Sequence, residues 1–120
     1  MYGIYYNKGP KFLKAKGSIG GYKKFDNKRN FDKTVDFDTQ WFIENILEQE
    51  CIYCGYNEWK KMTADRINND KGHFKDNIVP ACKKCNGGRG NKFSVDEYII
   101  RNKKKFKEFP ELNKYNMKIN

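Results

Sequence analysis

The sequence predicts an α+β domain in which a two-stranded hairpin and a helix are held together by one metal ion. Two Cys-x-x-Cys pairs, Cys51/Cys54 and Cys82/Cys85, lie on either side of residues 55–81. Each pair, in a tight turn, directs two thiolates at one point, and two such turns form the tetrahedral sulfur site that Zn²⁺ prefers. The residues between the pairs must then form a loop or hairpin whose ends the metal holds together. We therefore predict a structural Zn²⁺ bound by all four cysteines.

The chain of 120 residues has the size of one small domain. Only 38% of its residues are hydrophobic, so aromatic side chains must supply much of the buried surface. No run approaches the ~18 apolar residues of a membrane span, and the N-terminus lacks the apolar core of a signal peptide. We therefore expect a soluble, intracellular (cytoplasmic) protein without a membrane partner, in which paired cysteines favour metal binding over disulfides.

The charge distribution points to nucleic acid. The net charge is +10, which is the electrostatic footprint of a nucleic-acid binder. Residues 1–34 hold nine Lys or Arg and two Asp, a net of +7, whereas residues 35–50 hold five acids and no base. Lysine outnumbers arginine 21 to 4, and lysines suit phosphates better than base edges. The predicted partner is double-stranded DNA, bound chiefly through its backbone.

Residues 1–34 are interpreted as a basic, aromatic arm outside a single domain of residues 35–120. Tyr and Phe are interleaved with Lys, and five glycines interrupt the pattern, so no helical or strand period persists. Such an arm would follow a phosphate backbone, with Lys23 and Lys24 among its contacts. Alternatively, some of the rings fold back and complete the small core.

A helix is predicted over residues 38–50. Asp38 is a good N-cap, and an apolar stripe with helical spacing follows it. This stripe consists of Phe42, Ile43, Ile46 and Leu47. The helix would pack against the metal unit and deliver the chain to Cys51, while its acidic face offers an alternative role as a protein-partner surface.

The hairpin is predicted between the two cysteine pairs. Trp59, Met62 and Ala64 suggest a short strand with alternating burial. The run N-N-D-K-G has strong turn chemistry, with Gly72 able to take positive φ. The following residues return as a second strand or extended segment that stops at Pro80.

A C-terminal helix is predicted over residues 94–107. Ser94 and Glu97 form a capping box, and one face carries Val95, Tyr98, Ile99 and Phe106. The opposite face carries Arg101, Lys103, Lys104 and Lys105, which is most often only a solvated face.

The pattern C-x-x-C…D-x-I…N-x-x-P-x-C-x-x-C-N over residues 50–93 resembles the HNH endonucleases of the zinc-stapled ββα-metal kind. This group includes homing and phage HNH proteins and the endonuclease VII resolvases. The resemblance implies a ββα-metal unit over residues 51–93 that hydrolyses DNA phosphodiester bonds with a catalytic Mg²⁺ or Mn²⁺. It also implies a phage-like protein acting in a bacterial host.

The resemblance implies roles for individual residues. Asp65 and Asn86 would hold the catalytic divalent ion, and a carboxylate oxygen is a sensible ligand for such an ion. Asn77 would brace the loop that carries the general base. Arg89 and Lys92 would contact phosphate, and the remaining predicted DNA contacts are Lys83, Lys84, Lys23 and Lys24.

Arg66 departs from the family pattern, which has the general-base histidine at this position. A guanidinium stays protonated and cannot take a proton from water, although it can bind the scissile phosphate. His73 is the only histidine in the chain, and in a tight hairpin it would lie across from the Arg66 region and could replace the base. The alternative for a lone histidine in a turn is an exposed or stacking side chain.

Two functional hypotheses follow from these residues. The first is a metal-dependent HNH endonuclease, favoured by Asp65, Asn77 and Asn86. The second is a catalytically inactive HNH-fold module that binds DNA or protein, favoured by Arg66.

Overall fold

The computed structural model describes the backbone of residues 2–108 and the side chains of residues 9–102. Its elements, in chain order, are helix α1 (Tyr2–Lys28), helix α2 (Thr39–Phe42) continued by a π-helical segment (Ile43–Leu47), a 3₁₀ turn (Trp59–Lys61), strand β1 (Met62–Arg66), a 3₁₀ turn (Lys75–Asn77), strand β2 (Ile78–Cys82), helix α3 (Lys83–Arg89) and helix α4 (Val95–Glu108). The α+β prediction is confirmed. The predicted roles of the side chains at 103–106 and all of residues 109–120 lie outside the described residues.

Strands β1 and β2 form an antiparallel two-stranded sheet, with Met62 opposite Cys82 and Arg66 opposite Ile78. The prediction that the second strand stops at Pro80 is wrong, because β2 continues through this proline to Cys82. Each strand of a two-stranded sheet has one unpaired edge, where a missing N–H group is tolerated. The carbonyl of Pro80 also accepts a hydrogen bond from the backbone N–H of Ile52 at 2.9 Å, which ties the first cysteine turn to the hairpin.

Helix α1 occupies most of the region interpreted as a basic arm, although the sequence of that region has no persistent helical period. Helix α1 is kinked at Gly9, which has a φ of 59°, and Pro10 then begins the longer helical part, a position that suits proline. Ala15 and Ile19 on this part are buried in the core. The hydroxyl of Tyr22 accepts a hydrogen bond from the backbone N–H of Ala64 at 3.0 Å. Residues 9–34 therefore contribute to the same hydrophobic core as the cysteine turns. This agrees with the alternative in which aromatic rings of this region fold back and complete the core.

The two flanking helices begin where their capping residues predict. The Asp38 carboxylate accepts a hydrogen bond from the backbone N–H of Trp41 at 2.9 Å, and all four residues of the apolar stripe are buried. This helix ends at Leu47, short of the predicted residue 50. Ser94 and Glu97 exchange the two hydrogen bonds of a capping box, at 2.8 and 3.1 Å. In the part of the chain that the structure describes, no helix has the length and apolarity needed to span a bilayer.

A glycine is required at position 72 because neighbouring atoms leave no room for a Cβ, and not because the backbone has a positive φ. Gly72 is absent from the residues with positive φ, which corrects the predicted reason for a glycine here. A Cβ at this position would lie 2.2 Å from the backbone carbonyl oxygen of Lys33 and 2.9 Å from Oδ2 of Asp26. The loop after β1 therefore packs directly against the end of α1 and the residues that follow it.

Replacing Gly72 with alanine is expected to destabilise the fold by about 1–3 kcal/mol, the usual effect of overpacking. The matched control is Gly20→Ala on α1, where a Cβ meets nothing within 4 Å and where alanine should stabilise the helix by about 0.5–1 kcal/mol. Urea denaturation of both variants measures the difference. Equal midpoints for the two variants would show that the close approach does not constrain residue 72.

Candidate metal centre and cleft

The four predicted cysteines converge on one point. Their sulfur atoms all lie within 4.8 Å of one another, and three of the four residues are buried. In the first turn, the backbone N–H of Gly55 donates to the carbonyl of Cys51 at 2.8 Å, and Gly55 has a φ of 77°. In the second, the sulfur of Cys82 accepts from the backbone N–H of Cys85 at 3.4 Å. This cluster can hold a metal ion, and its four thiol donors fit a tetrahedral structural site.

The electrostatics of the cluster favour a cation. Hydrogen bonding to Cys54 lowers the pKa of the Cys51 thiol to about 7. Hydrogen bonding to Cys51 raises the pKa of the Cys54 and Cys85 thiols, because four neighbouring sulfurs cannot all become thiolates without a compensating charge. A bound cation supplies that charge, and its binding would release protons.

A cleft of about 510 Å³ lies between α1 and the hairpin, and we call it the central cleft. It brings together four of the five predicted catalytic residues: Asp65, Arg66, His73 and Asn86. Helix α1 forms the facing wall with residues that include Ser18, Tyr22 and Phe25. These four residues therefore share one cavity. Helix α1, which lies outside the HNH-like pattern, forms the opposite side of that cavity.

His73, in the loop after β1, lines the central cleft; it is buried against α1 and is not an exposed turn residue. Its side chain is stacked on the Tyr22 ring with centroids 4.1 Å apart, and only 7% of the residue is exposed. Its Nδ1 lies 2.9 Å from Oδ1 of Asp26, and its backbone N–H donates to Oδ2 of Asp26 at 2.8 Å. Asp26 on α1 therefore fixes both the ring and the main chain of His73.

The Asp26 contact determines the tautomer of His73. Burial raises the pKa of Asp26, but hydrogen bonds from the His73 backbone, Thr34 and the His73 ring together lower it below its ordinary value. An ionised carboxylate only accepts hydrogen bonds, so Nδ1 carries the proton and Nε2 is left with a lone pair. Burial lowers the pKa of His73, and Asp26 only partly opposes this effect. The imidazole is therefore neutral near pH 7.

Sequence reasoning missed Asp26. The residue is the only acid within α1 and is fully buried, although it lies in a run of exposed basic residues. A lone acid in such a run was the one available signal, but its partner is 47 positions away.

The Asp65 carboxylate is hydrogen-bonded to Arg89 and Tyr53, whereas the prediction was that it binds a divalent cation. Its Oδ2 accepts hydrogen bonds from Nε of Arg89 at 2.8 Å and from the hydroxyl of Tyr53 at 2.5 Å. Its Oδ1 accepts from Nη2 of Arg89 at 2.9 Å. The carboxylate is therefore already neutralised by a buried guanidinium. These contacts do not fit the predicted binding of a divalent cation by Asp65 and Asn86, and the amide of Asn86 donates to Oγ1 of Thr63 at 2.9 Å.

Arg89 is buried, which does not favour the predicted contact with phosphate. Only 1% of it is exposed. Besides Asp65, its guanidinium donates to the carbonyl of Phe93 at 2.6 Å and to the carbonyl of Arg66. Arg89 thus joins the end of β1 to α3 and to the segment leading into α4.

Arg66 and Asn77 hold the loop that leads to His73. Nη1 of Arg66 donates to the carbonyls of Asn69 at 2.8 Å and Lys71 at 3.0 Å. Oδ1 of Asn77 accepts from the backbone N–H of Asn68 at 2.9 Å, and its amide donates to carbonyls of the same loop. Asn77 therefore has a bracing geometry, although it does not line the central cleft.

The remaining predicted DNA contacts are lysines with exposed side chains: Lys23, Lys24, Lys83, Lys84 and Lys92. Lys23 and Lys24 follow Tyr22 on α1, whereas Lys83 and Lys84 begin α3. Lys92 lines a second, polar cleft of about 850 Å³ together with Arg29 and Arg66. Cationic side chains thus lie on elements that border both clefts.

No protein-family model matches the sequence. A relative, the uncharacterized protein R423 of Acanthamoeba polyphaga mimivirus, is 34% identical over 71 residues. This match covers 58% of the present chain and 13% of the viral protein, so the chain spans only a small part of that relative's length. The chain is similar to a segment of a viral protein whose name states no activity.

Proposed function

We propose that this chain is an HNH-type endonuclease that hydrolyses phosphodiester bonds of double-stranded DNA in the central cleft. The observation that carries the proposal is the placement of His73. The only histidine of the chain lies in the wall of a cleft shared with Asn86, and its ring is held by Asp26. A neutral imidazole with a lone pair on Nε2 is the group that can take a proton from an attacking water.

The other residues would support this role. The four cysteines would bind Zn²⁺ and hold α3 against the hairpin, which fixes Asn86 in the cleft. The amide of Asn86 and the half-buried guanidinium of Arg66 would hydrogen-bond phosphate oxygens. The resemblance implies a catalytic Mg²⁺ or Mn²⁺, but such an ion does not fit an Asp65 carboxylate that is already paired with Arg89. The proposed hydrolysis therefore does not rely on a divalent ion at Asp65.

The viral relative is consistent with a viral or phage origin. The acidic residues around α2 would offer a surface for a protein partner, although Glu48 is already paired with Lys11 at 3.1 Å.

A second candidate function is a non-catalytic DNA-binding module. The buried ion pair of Asp65 and Arg89 favours this second function. The resemblance implies a catalytic role for the Asp65 carboxylate, but the carboxylate is already bound to Arg89. Nicking of supercoiled plasmid distinguishes the two candidates. We expect the zinc-loaded protein to nick plasmid in an assay repeated with Mg²⁺, with Mn²⁺ and with a chelator that spares the bound zinc. DNA binding without nicking in all three conditions would favour the second candidate.

We expect DNA binding to be dominated by phosphate contacts and therefore to weaken steeply with salt. The logarithm of the affinity should fall with the logarithm of salt concentration by ~0.9 for each duplex phosphate neutralised. Lys24→Gln should reduce that slope by about one such contact. Lys11→Gln is the matched control, because Lys11 lies on the same helix but is ion-paired with Glu48. Fluorescence anisotropy at several salt concentrations measures both slopes, and a salt-independent affinity would contradict the expectation.

A further inference from the structure

The ion pair of Asp65 and Arg89 lies where the HNH-like pattern would place a catalytic cation. Asp65 is 3% exposed and Arg89 is 1% exposed. Two parallel hydrogen bonds of 2.8 and 2.9 Å join the guanidinium to both carboxylate oxygens. This bidentate geometry is the strongest form of the contact between these two groups.

Arg89 is also held by hydrogen bonds to two backbone carbonyls. Its Nη1 donates to the carbonyl of Phe93, and its Nη2 donates to the carbonyl of Arg66. Hydrogen bonding to Asp65 raises the pKa of Arg89, so its charge is permanent. The guanidinium is thus fixed beside the carboxylate and cannot turn away without breaking its hydrogen bonds to the carbonyls of Arg66 and Phe93.

A divalent cation at Asp65 would meet an unfavourable charge balance. Such ions bind in proteins through anionic oxygens, usually from one or two carboxylates. The described groups that line the central cleft include Asp65 as their only carboxylate, and Arg89 neutralises it. The same wall holds Arg66, whose guanidinium adds a further positive charge.

We propose that Arg89 takes the place of a divalent cation at Asp65, and that Asp65 and Asn86 form a latent cation site which is uncovered only when Arg89 is removed. The fixed guanidinium supplies the positive charge that anchors the end of β1. The central cleft then holds no divalent ion on Asp65. This inference concerns ion binding and is independent of whether the chain cleaves DNA.

The test is a titration of zinc-loaded protein with Mn²⁺, followed by the electron paramagnetic resonance signal of the free ion. We expect wild type to show no Mn²⁺ binding that depends on Asp65, so that wild type and Asp65→Asn give the same curve. Arg89→Met should bind one Mn²⁺ at least tenfold more tightly than wild type. The double variant Arg89→Met/Asp65→Asn should lose that binding again.

Two controls distinguish a general loss of positive charge from the formation of a cation site at Asp65. Arg29→Met removes an exposed arginine that contacts the Phe25 ring, and it should leave Mn²⁺ binding at the wild-type level. Arg89→Lys keeps the positive charge beside Asp65 and should also gain no site. Circular dichroism establishes that each variant is folded. If Arg89→Met does not fold, Mn²⁺ binding by wild type that Asp65→Asn abolishes would still overturn the inference.

Two results would overturn the inference. One is Mn²⁺ binding by wild type that Asp65→Asn abolishes, because it would place the ion on Asp65 in the presence of Arg89. The other is a folded Arg89→Met variant that binds Mn²⁺ no better than Arg29→Met. Neither result depends on the plasmid assay, so failure of the inference is distinguishable from failure of the proposed nuclease activity.

Discussion

Removing the metal from the four-cysteine cluster is expected to unfold the chain. The cluster joins the turn at Cys51 to the beginning of α3, and three of the 14 buried residues of the described hydrophobic core are its cysteines. Structural zinc sites contribute apparent free energies of about 10–16 kcal/mol near pH 7. This equals or exceeds the ~5–15 kcal/mol by which whole domains are usually stable. Replacing any one of the four cysteines with serine should have the same effect.

Elemental analysis should find one zinc per chain, and circular dichroism before and after chelation should show loss of helix. Lys84→Ser is the matched control, because this exposed residue lies within the same turn as Cys82 and Cys85. It should leave both metal content and folding unchanged. A chain that retains its helical signal and its unfolding transition after complete metal loss would show that the cluster does not hold the fold together.

Elements with local signals were predictable from the sequence. The cysteine cluster follows from spacing alone, because a Cys-x-x-Cys turn orients both sulfurs whatever surrounds it. Asp38 and the pair Ser94/Glu97 start their helices through bonds to residues three positions away. In each case the interaction that fixes the structure is contained in a few consecutive residues.

Helix α1 could not be predicted in this way. Glycine lowers helix propensity by about 1 kcal/mol per residue relative to alanine, and five of them lie between residues 3 and 21. The helix is stabilised by packing of Ala15 and Ile19 in the core and by the bond between Tyr22 and β1. These contacts are tertiary and leave no periodic pattern in the sequence.

The candidate site was only partly predictable for the same reason. The sequence points to His73 because it is the only histidine, but its partner Asp26 lies in the segment that the sequence pattern separates as an arm. The HNH-like pattern supplied the residue types at positions 65, 86 and 89. It gave no information on the pairing of Asp65 with Arg89, which joins β1 to α3 across 24 positions.

Replacing His73 is expected to remove most of the nuclease activity while leaving DNA affinity nearly unchanged. His73→Asn keeps an amide donor for Asp26 but has no group that titrates near neutral pH. Loss of a general base lowers the rate by ~10²–10⁴-fold, and loss of a neutral side chain should not change the electrostatic part of DNA binding. Single-turnover plasmid nicking measures the rate, and anisotropy measures the affinity. Thr34→Val is the matched control, because it removes another hydrogen bond to Asp26 without touching the imidazole.

The pH dependence of nicking provides the second, independent readout of the same base. Only neutral His73 can accept a proton, so the rate should rise with pH through the pKa of His73 and then become constant. Burial places that pKa below its ordinary value of 6.5, so the rise should lie at lower pH than the titration of an exposed imidazole. Asp26 from α1 and Asp65 from β1 raise this pKa, whereas Arg66 lowers it. Asp26→Asn should therefore move the rise to still lower pH, with folding verified at each pH. If His73→Asn nicks plasmid at the wild-type rate with an unchanged pH profile, another group takes the proton and His73 only packs against Tyr22.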